Sequence, residues 1–187
     1  MVPDGCVRSH IRGPDRGIRA TGPADDRRDP PEGAPDSLQP AQRGDVPRRI
    51  GRTKGGLNSK LHAVCDGLGR PIILLLTEGQ MSDHKGAAMI FPVLPQANTL
   101  IGDKGYDSDA FRKALIEREI TPCIPPRAKR RAPATYCKAL YKQRHKIENM
   151  FAKLKDWRRS STRYDRCAHT FFSAICIAAT FIFWLNQ

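Results

Sequence analysis

Hydrophobic residues occur in short blocks along most of the chain, and each block has the length of one strand or helix. A mostly continuous apolar block of four to ten residues, bounded by turn residues, predicts a strand. Four blocks fit this description, at residues 57–65, 71–76, 99–102 and 120–124. The turn sequence Asp66-Gly67-Leu68-Gly69 joins the first two blocks, so we expect them to form a β-hairpin.

Other blocks have the spacing of helices. Residues 82–93 are weakly helical, residues 109–119 follow the capping residue Ser108, and residues 138–157 form a long amphipathic segment. An apolar block at residues 171–185 comes last and is shorter than the roughly 20 residues that span a bilayer. We therefore predict a buried C-terminal helix rather than a membrane anchor, and a mixed α/β fold.

The first 43 residues have a different composition from the rest. They contain no lysine and no aromatic residue, seven prolines, and no hydrophobic period of 2 or 3.6. Such a segment buries too little apolar surface to offset its ordering entropy. We predict that residues 1–43 are disordered and that residues 44–187 form the single ordered domain.

Charge and cysteine content narrow the class of protein. The 187 residues include 32 basic and 19 acidic side chains, and 23 of the basic but only 11 of the acidic ones follow residue 50. This excess favours a polyanionic partner, nucleic acid before acidic membrane. Six cysteines form no CxxC pair and the first residues lack an apolar run, so we expect a cytoplasmic protein with reduced thiols.

Four polar side chains line one edge of the predicted long helix. At about 100° per residue, Tyr141, Arg144, Glu148 and Lys155 lie within an arc of roughly 60°, beside the apolar stripe. An i,i+4 ion pair would explain Arg144 and Glu148 alone. It leaves the tyrosine and the distant lysine unexplained, which favours a functional line of residues.

A second carboxylate, Asp103, follows directly after a predicted buried strand. Ligands bind at this end of strands in α/β sheets, although an aspartate there also suits a simple turn. Asp103 and Glu148 together offer the oxygen ligands that Mg²⁺ or Mn²⁺ prefers, and nearby cationic side chains would hold phosphates. The basic loop residues Lys129, Arg130 and Arg131, with Arg158 and Arg159 after the helix, either bind DNA phosphates or are solvated charges.

The spacing Tyr141-x2-Arg144-x3-Glu148-x6-Lys155 resembles the signature of the DDE transposases of bacterial insertion sequences, in the IS-four and IS-five groups. Asp103 in Leu-Ile-Gly-Asp-Lys-Gly-Tyr-Asp resembles the second catalytic acid of that family. Further similar segments are 51–56, 61–64, 77–80 with Asp83, 155–159 and 162–165. The similarity covers residues 44–187.

The resemblance implies an RNase H-like domain, a mixed sheet flanked by helices, that cleaves DNA and transfers strands by two-metal chemistry with Mg²⁺ or Mn²⁺. Asp103 and Glu148 would be catalytic residues and metal ligands, and Tyr141, Arg144 and Lys155 would contact DNA. The implied partners are the terminal inverted repeats, target DNA and a second copy of the chain. A non-catalytic DNA-binding remnant and an unrelated RNase H-like nuclease are the alternatives.

The first acid of the family has no counterpart in a recognisable motif. Residues 25–38, back-translated and read one nucleotide later, give a peptide close to the missing motif. Our hypothesis is that residues 1–43 are an out-of-frame translation. The sheet would then lack its first strand, and the chain would be inactive alone.

Overall fold

The computed structural model describes residues 5–9, 48–54, 56–128, 130 and 134–185. Of the segment 1–43, for which we predict disorder, only residues 5–9 are among the described residues, and they form a strand. The strands are β1 (Gly5–Ser9), β2 (Gly51–Thr53), β3 (Gly56–Cys65), β4 (Pro71–Glu78), β5 (Thr99–Gly102) and β6 (Thr121–Cys123). The helices are α1 (Asp83–Ile90), α2 (Asp109–Glu117), α3 (Lys138–Tyr141), α4 (His145–Asp156), α5 (Arg158–Ser161) and α6 (Ala168–Thr180). These bounds confirm the four predicted strands and the helical segments.

The sheet is mixed and runs in the order β4-β3-β1-β5-β6, with β2 also paired to β3. Strands β4, β1 and β2 are antiparallel to β3, whereas β1 pairs in parallel with β5 and β5 with β6. The loop between β3 and β4 is closed by Asp66, whose Oδ1 accepts the N–H groups of Leu68 and Arg70. This is the mixed α/β sheet flanked by helices that the resemblance implied.

The expectation that the sheet lacks its first strand differs from the structure. Backbone of β1 occupies the central position, between β3 and β5, with Val7 level with both Val64 and Gly102. A strand at this position forms hydrogen bonds with N–H and C=O groups of β3 and β5 that would otherwise lack backbone partners. Such pairing depends on the backbone, so the hydrophobic pattern did not predict it.

Two hydrophobic layers cover the two faces of the sheet. On β3, Leu61 and Ala63 face a layer built from α4 and α6, and Val64 faces a layer that includes α1 and α2. The alternation follows the two-residue period of a strand. The predicted long helix at residues 138–157 is divided, because a 3-10 turn at Lys142–Arg144 separates α3 from α4.

Helix α6 has a buried face, as predicted for the C-terminal apolar block. Phe171, Ile175 and Ala178 are buried in the core, and the helix continues in wider π-type turns at Phe181–Leu185. Within the described residues, Ala168–Leu185 is the one helix long and apolar enough to cross a membrane, and one third of it is buried. A core helix passes the same test of length and composition.

Candidate functional site

Asp103 lies where the central sheet opens to solvent. Strand β5 is buried at Leu100 and Ile101 and ends at Gly102, so the next side chain emerges from the carboxyl end of the strand. A 3-10 turn at Lys104–Tyr106 follows, and Asp103 caps it by accepting the Lys104 N–H at 2.8 Å. The side chain is about one third exposed, at 34%, and its Oδ2 faces Arg144.

Helix α4 carries the second carboxylate, Glu148. Its apolar stripe, Ile147, Met150 and Leu154, is almost fully buried, as the sequence periodicity predicted. Burial of this stripe fixes the rotation of the helix, and Glu148 is held at the edge of the stripe with a side chain 38% exposed. The line of polar residues therefore borders the core.

Arg144 lies between the two carboxylates. Its Nη2 is 2.8 Å from Glu148 Oε1, and its Nη1 is 3.6 Å from Asp103 Oδ2. The first contact is a charge-assisted hydrogen bond, and the second is too long for one, so it is purely an electrostatic attraction. The geometry thus brings Asp103 and Glu148 to one cationic side chain.

Tyr141 supports this arrangement from the preceding turn. Its ring lies under the Arg144 guanidinium, with 5.6 Å between the guanidinium carbon and the ring centroid, and Tyr136 packs edge-on against it at 5.5 Å. A cation over an aromatic face is attracted by the ring quadrupole. Tyr141 and Arg144 are therefore positioned together.

The other residues predicted to bind DNA are more scattered. Lys155 is exposed in the last turn of α4, about 10 Å along the helix from Glu148. Beyond the helix, Arg158 donates to the Tyr164 hydroxyl at 3.1 Å and Arg159 to Asp165 at 3.4 Å. The structure does not bring these three residues to the Asp103 carboxylate through any contact within its described ranges.

The basic loop is partly described. Arg130 forms ion pairs with Asp107, at 2.9 Å, and with Asp109, so its charge is matched by carboxylates of the chain itself. Lys129 and Arg131 lie outside the described residues. The prediction that these three bind DNA is not tested by the geometry.

A buried ionic network that the sequence did not predict holds the loop after Asp103. Asp107 accepts hydrogen bonds from Arg112 Nε at 2.8 Å, from Arg130, and from the Arg127 N–H at 2.8 Å. Arg112 also donates to the carbonyl of Ile124 at 2.6 Å. The network joins the Asp103 loop to the end of β6. Arg127 and Arg130 are remote from Asp107 in sequence, and Arg112 is five residues from it. Ion pairs along a helix join residues three or four apart, so the sequence pattern did not predict these contacts.

The charges around Asp107 control its titration. Burial alone would raise the pKa of this carboxyl, but the hydrogen bonds from the Arg127 N–H and Arg112, with the charges of Arg112 and Arg130, lower the pKa below its ordinary value of 3.8. Asp107 is therefore a fixed negative charge that anchors three basic residues.

Further polar contacts order the same loop from α1. Lys60 on β3 donates to Asp83 at 3.1 Å and to the carbonyl of Met81 at 2.8 Å. Asp83 also packs closely on Gly105, where an added Cβ would lie 2.6 Å from its carboxylate oxygen. The side chain of Arg127 donates to the carbonyls of Lys104 and Gly105 and contacts His84. The turn that carries Asp103 is thus held by Asp83 and Arg127.

The histidines near the site differ in burial and in their partners. His62 is fully buried between the Thr77 hydroxyl, at 3.1 Å, and the Tyr106 hydroxyl, at 3.5 Å. Burial, together with the charge of Arg127, lowers the pKa of His84. His145 is exposed and contacts the carbonyl of Lys142.

The position level with Asp103 on the central strand is not acidic. Strand β1 reads Gly-Cys-Val-Arg-Ser, and its register places Arg8 beside the end of β5. Acidic residues at other positions before residue 48 lie outside the described residues. Among the described residues no three His, Cys, Asp or Glu side chains form a group that could hold a metal ion.

Two carboxylates around one positive charge suit a single hard divalent cation. Asp103 and Glu148 could supply oxygen ligands from either side of Arg144, which already places positive charge between them. Mg²⁺ is commonly bound through one or two carboxylates together with phosphate and water. The donor set therefore fits one such ion, in competition with the guanidinium.

Comparison with known proteins supplies independent information. The family model described as transposase DDE domain matches residues 34–182. A Brucella ovis protein, named as a transposase for insertion sequence element IS6501, is 32% identical over 131 residues, 70% of this chain and 100% of that protein. A Burkholderia cepacia protein, named as a transposase for IS402, is 31% identical over 156 residues, 73% of this chain and 72% of that protein.

One solved structure is also similar. The cryo-EM structure of a simian T-cell lymphotropic virus intasome in complex with the PP2A regulatory subunit B56 gamma has a TM-score of 0.47 and 16% identity. The similarity covers 78% of this chain and 51% of that one.

Proposed function

Because the chain belongs to the transposase DDE domain family of insertion sequences, we propose that the cleft between Asp103 and Glu148 binds the scissile phosphate of insertion-sequence DNA. The observation that carries the proposal is the convergence of both carboxylates on Arg144. It joins the end of a buried strand to the polar edge of α4, two features 45 residues apart in sequence. A turn-forming aspartate and a surface ion pair would have no reason to converge in this way.

Each residue of the cleft has a distinct proposed role. Asp103 and Glu148 would hold a divalent cation, whose chemistry would be to activate water or a 3′-hydroxyl for in-line attack on the phosphodiester. Arg144 balances their charge in the free protein and would bind a phosphate oxygen when DNA occupies the site. Tyr141 holds the guanidinium in position. The proposed substrates are terminal inverted repeats and target DNA, with strand transfer by a pair of chains in the cytoplasm.

The flanking cations extend the DNA contact. We assign phosphate contacts to Lys155 in the last turn of α4, to Arg158 and Arg159 after it, and to the basic loop of Lys129, Arg130 and Arg131. Arg130 would have to exchange its ion pairs with Asp107 and Asp109 for a phosphate, so it is the weakest member of this set. Counterion release makes all such contacts dependent on salt.

Catalysis by the chain alone is proposed to be very slow. Two-metal chemistry requires a third carboxylate ligand in the usual arrangement, and Arg8 stands at the strand position level with Asp103. One cation bound by two carboxylates, in competition with Arg144, would be held weakly. The hypothesis of an out-of-frame segment accounts for the missing acid, and the nucleotide sequence of residues 25–38 tests it directly.

A plasmid-nicking assay tests the proposed chemistry. The purified chain is incubated with a supercoiled plasmid that carries both ends of its insertion sequence, in Mg²⁺ or Mn²⁺, and DNA binding is measured in parallel. We expect salt-dependent binding with little nicking, and Glu148→Gln should preserve or strengthen binding because it removes a negative charge near the phosphate. Strong Mg²⁺-dependent nicking that Asp103→Ala abolishes would refute the proposed inactivity, and no DNA binding would refute the function.

A non-catalytic DNA-binding protein is the second candidate, favoured by the position of Arg144 between the carboxylates. In this case the guanidinium would stay paired with Glu148, and divalent cations would not change DNA affinity. Measuring affinity in EDTA and in Mg²⁺, with Glu148→Gln as control, separates the candidates. A Mg²⁺-dependent gain that the substitution removes supports the metal-binding cleft.

A further inference from the structure

Four arginines come together on a part of the surface that the proposed active site does not use. The guanidinium of Arg163 donates to the backbone carbonyls of Arg48, Arg49 and Arg166; the Arg49 distance is 3.3 Å and the Arg166 distance is 3.1 Å. It also contacts the Ser59 hydroxyl on β3. We call Arg48, Arg49, Arg163 and Arg166 the arginine cluster.

The arginine cluster holds more positive than negative charge. Arg49 is paired with Glu78 at 3.0 Å. Arg48 and Arg166 are exposed, and across the described ranges neither has a carboxylate within ion-pair distance. Arg163 spends its donors on carbonyls and a hydroxyl, and the nearby carboxylate of Asp165, which acts on its charge, is shared with Arg159. The backbones of the other three arginines meet at the Arg163 guanidinium, so their charged side chains start from one small region of the surface, and such a region attracts polyanions.

Strand register places the arginine cluster relative to the cleft. Val64 on β3 is level with Gly102 through β1, so Ser59 lies about 13 Å beyond Asp103 along the strand direction. Because β3 runs antiparallel to β1, this is the direction in which the carboxyl end of β5 points. The cluster therefore extends from the same end of the sheet as Asp103.

The arginine cluster and Glu148 also lie on the same side of the sheet. Ser59 shares its strand face with Leu61 and Ala63, which pack against the layer of α4 and α6. Glu148 belongs to α4, so the arginine cluster and the cleft border the same layer. A straight polyanion lying across the cleft would reach the cluster without bending around the sheet.

We propose that the arginine cluster is a second phosphate-binding surface, which holds the backbone of the DNA duplex flanking the position of cleavage. The offset of about 13 Å along the strands, together with two strand spacings of about 4.8 Å across the sheet, gives a separation of about 16 Å, or about five base pairs at 3.4 Å per pair. Arg48, Arg49 and Arg166 contact phosphates, and Arg163 is a positioning residue that holds their backbones together. This inference rests on the proposed function, because it assumes that DNA occupies the Asp103–Glu148 cleft.

The test measures binding of the full chain to a labelled duplex of about 30 base pairs by fluorescence anisotropy over a range of salt concentrations. The variant Arg48→Gln/Arg166→Gln removes two charges that have no described carboxylate partner. The matched control is Lys85→Gln/Lys113→Gln, which removes two exposed charges from α1 and α2 on the opposite face of the sheet. Thermal unfolding checks that both variants are folded.

Each phosphate contact adds about 0.9 to the slope of log affinity against log salt. We expect the arginine variant to reduce this slope by about 1.8 and to weaken binding at about 0.1 M salt by tenfold or more, with the control near wild type. Arg163→Lys keeps the charge but cannot reach all its carbonyl acceptors, and we expect it to lose part of the same slope.

Equal slopes for the arginine variant and the control would overturn this inference while leaving the proposed function intact. No binding of the duplex by the unmodified chain would instead count against the proposed function. Vesicles of anionic phospholipid serve as the second probe. If they bind more tightly than the duplex and the arginine variant loses only vesicle binding, the surface belongs to a membrane and the DNA proposal is wrong.

Discussion

Asp107 provides a sharp test of how the loop that carries Asp103 is held in place. Its side chain is almost completely buried, at 1% exposure, and it receives hydrogen bonds from Arg112, Arg130 and the backbone of Arg127. The substitution Asp107→Asn keeps the shape of the side chain and removes its charge. One of the two oxygen acceptors also becomes an NH₂ donor, which faces groups that are themselves donors.

The loss in free energy of unfolding follows from the burial of Arg112, the ion-pair partner of Asp107. Arg112 is only 8% exposed, and without the aspartate it keeps one described acceptor, the carbonyl of Ile124. Breaking a buried ion pair by removing one partner costs about 3–5 kcal/mol, because the other charge is left uncompensated. Arg130 keeps Asp109 as a carboxylate partner, so we expect a loss near the lower limit, about 3 kcal/mol.

Urea unfolding at neutral pH measures this loss. The control is Asp109→Asn, which removes another carboxylate partner of Arg130 but is 88% exposed, and we expect its stability to stay close to wild type. A difference below about 1 kcal/mol between Asp107→Asn and wild type would refute the assigned role of the network, because solvated side chains give differences of that size.

The pH dependence gives a second test of the same residue. The pKa of Asp107 in the folded chain is below its ordinary value of 3.8, so its contribution is fully present above that value. It is lost as the pH falls through the lowered folded-state pKa. The stability difference between wild type and Asp107→Asn should therefore be constant near neutrality and shrink below about pH 4. A difference that does not shrink in acid would contradict the ionic origin.

Three further substitutions test the packing around the site. Gly86→Ala would place a Cβ 2.3 Å from the buried ring of His62, so we expect a lower thermal midpoint and a loss of about 1–3 kcal/mol. Leu154→Ala removes a fully buried side chain beneath the polar edge of α4 and should cost about 2–5 kcal/mol in urea unfolding. Ser108→Ala removes the oxygen that caps α2 at the Phe111 N–H, and we expect about 1 kcal/mol. A thermal midpoint unchanged in all three would contradict the described packing.

The hydrophobic pattern by itself determined the elements and the edge of the helix that carries the site. Strand and helix periods predicted β3 to β6, α1, α2, α6 and the segment that contains α3 and α4, because side-chain burial on a strand or helix is a local property of spacing. The same reasoning placed Glu148 and Arg144 beside the stripe of Ile147 and Leu154, which the structure buries. The motif around these residues also led to the right family, with the matched region extending upstream to residue 34.

Only the tertiary structure decided what the elements bring together. The ion pair between Arg144 and Asp103 and the network of Asp107, Arg112 and Arg127 join segments remote in sequence. No local period encodes such contacts. Strand β1 was missed for a related reason, since its central place is set by backbone hydrogen bonds to two neighbours that the chain reaches only later. Spacing fixes which face of an element is buried, whereas the partner of a polar side chain is fixed only when the sheet and helices pack.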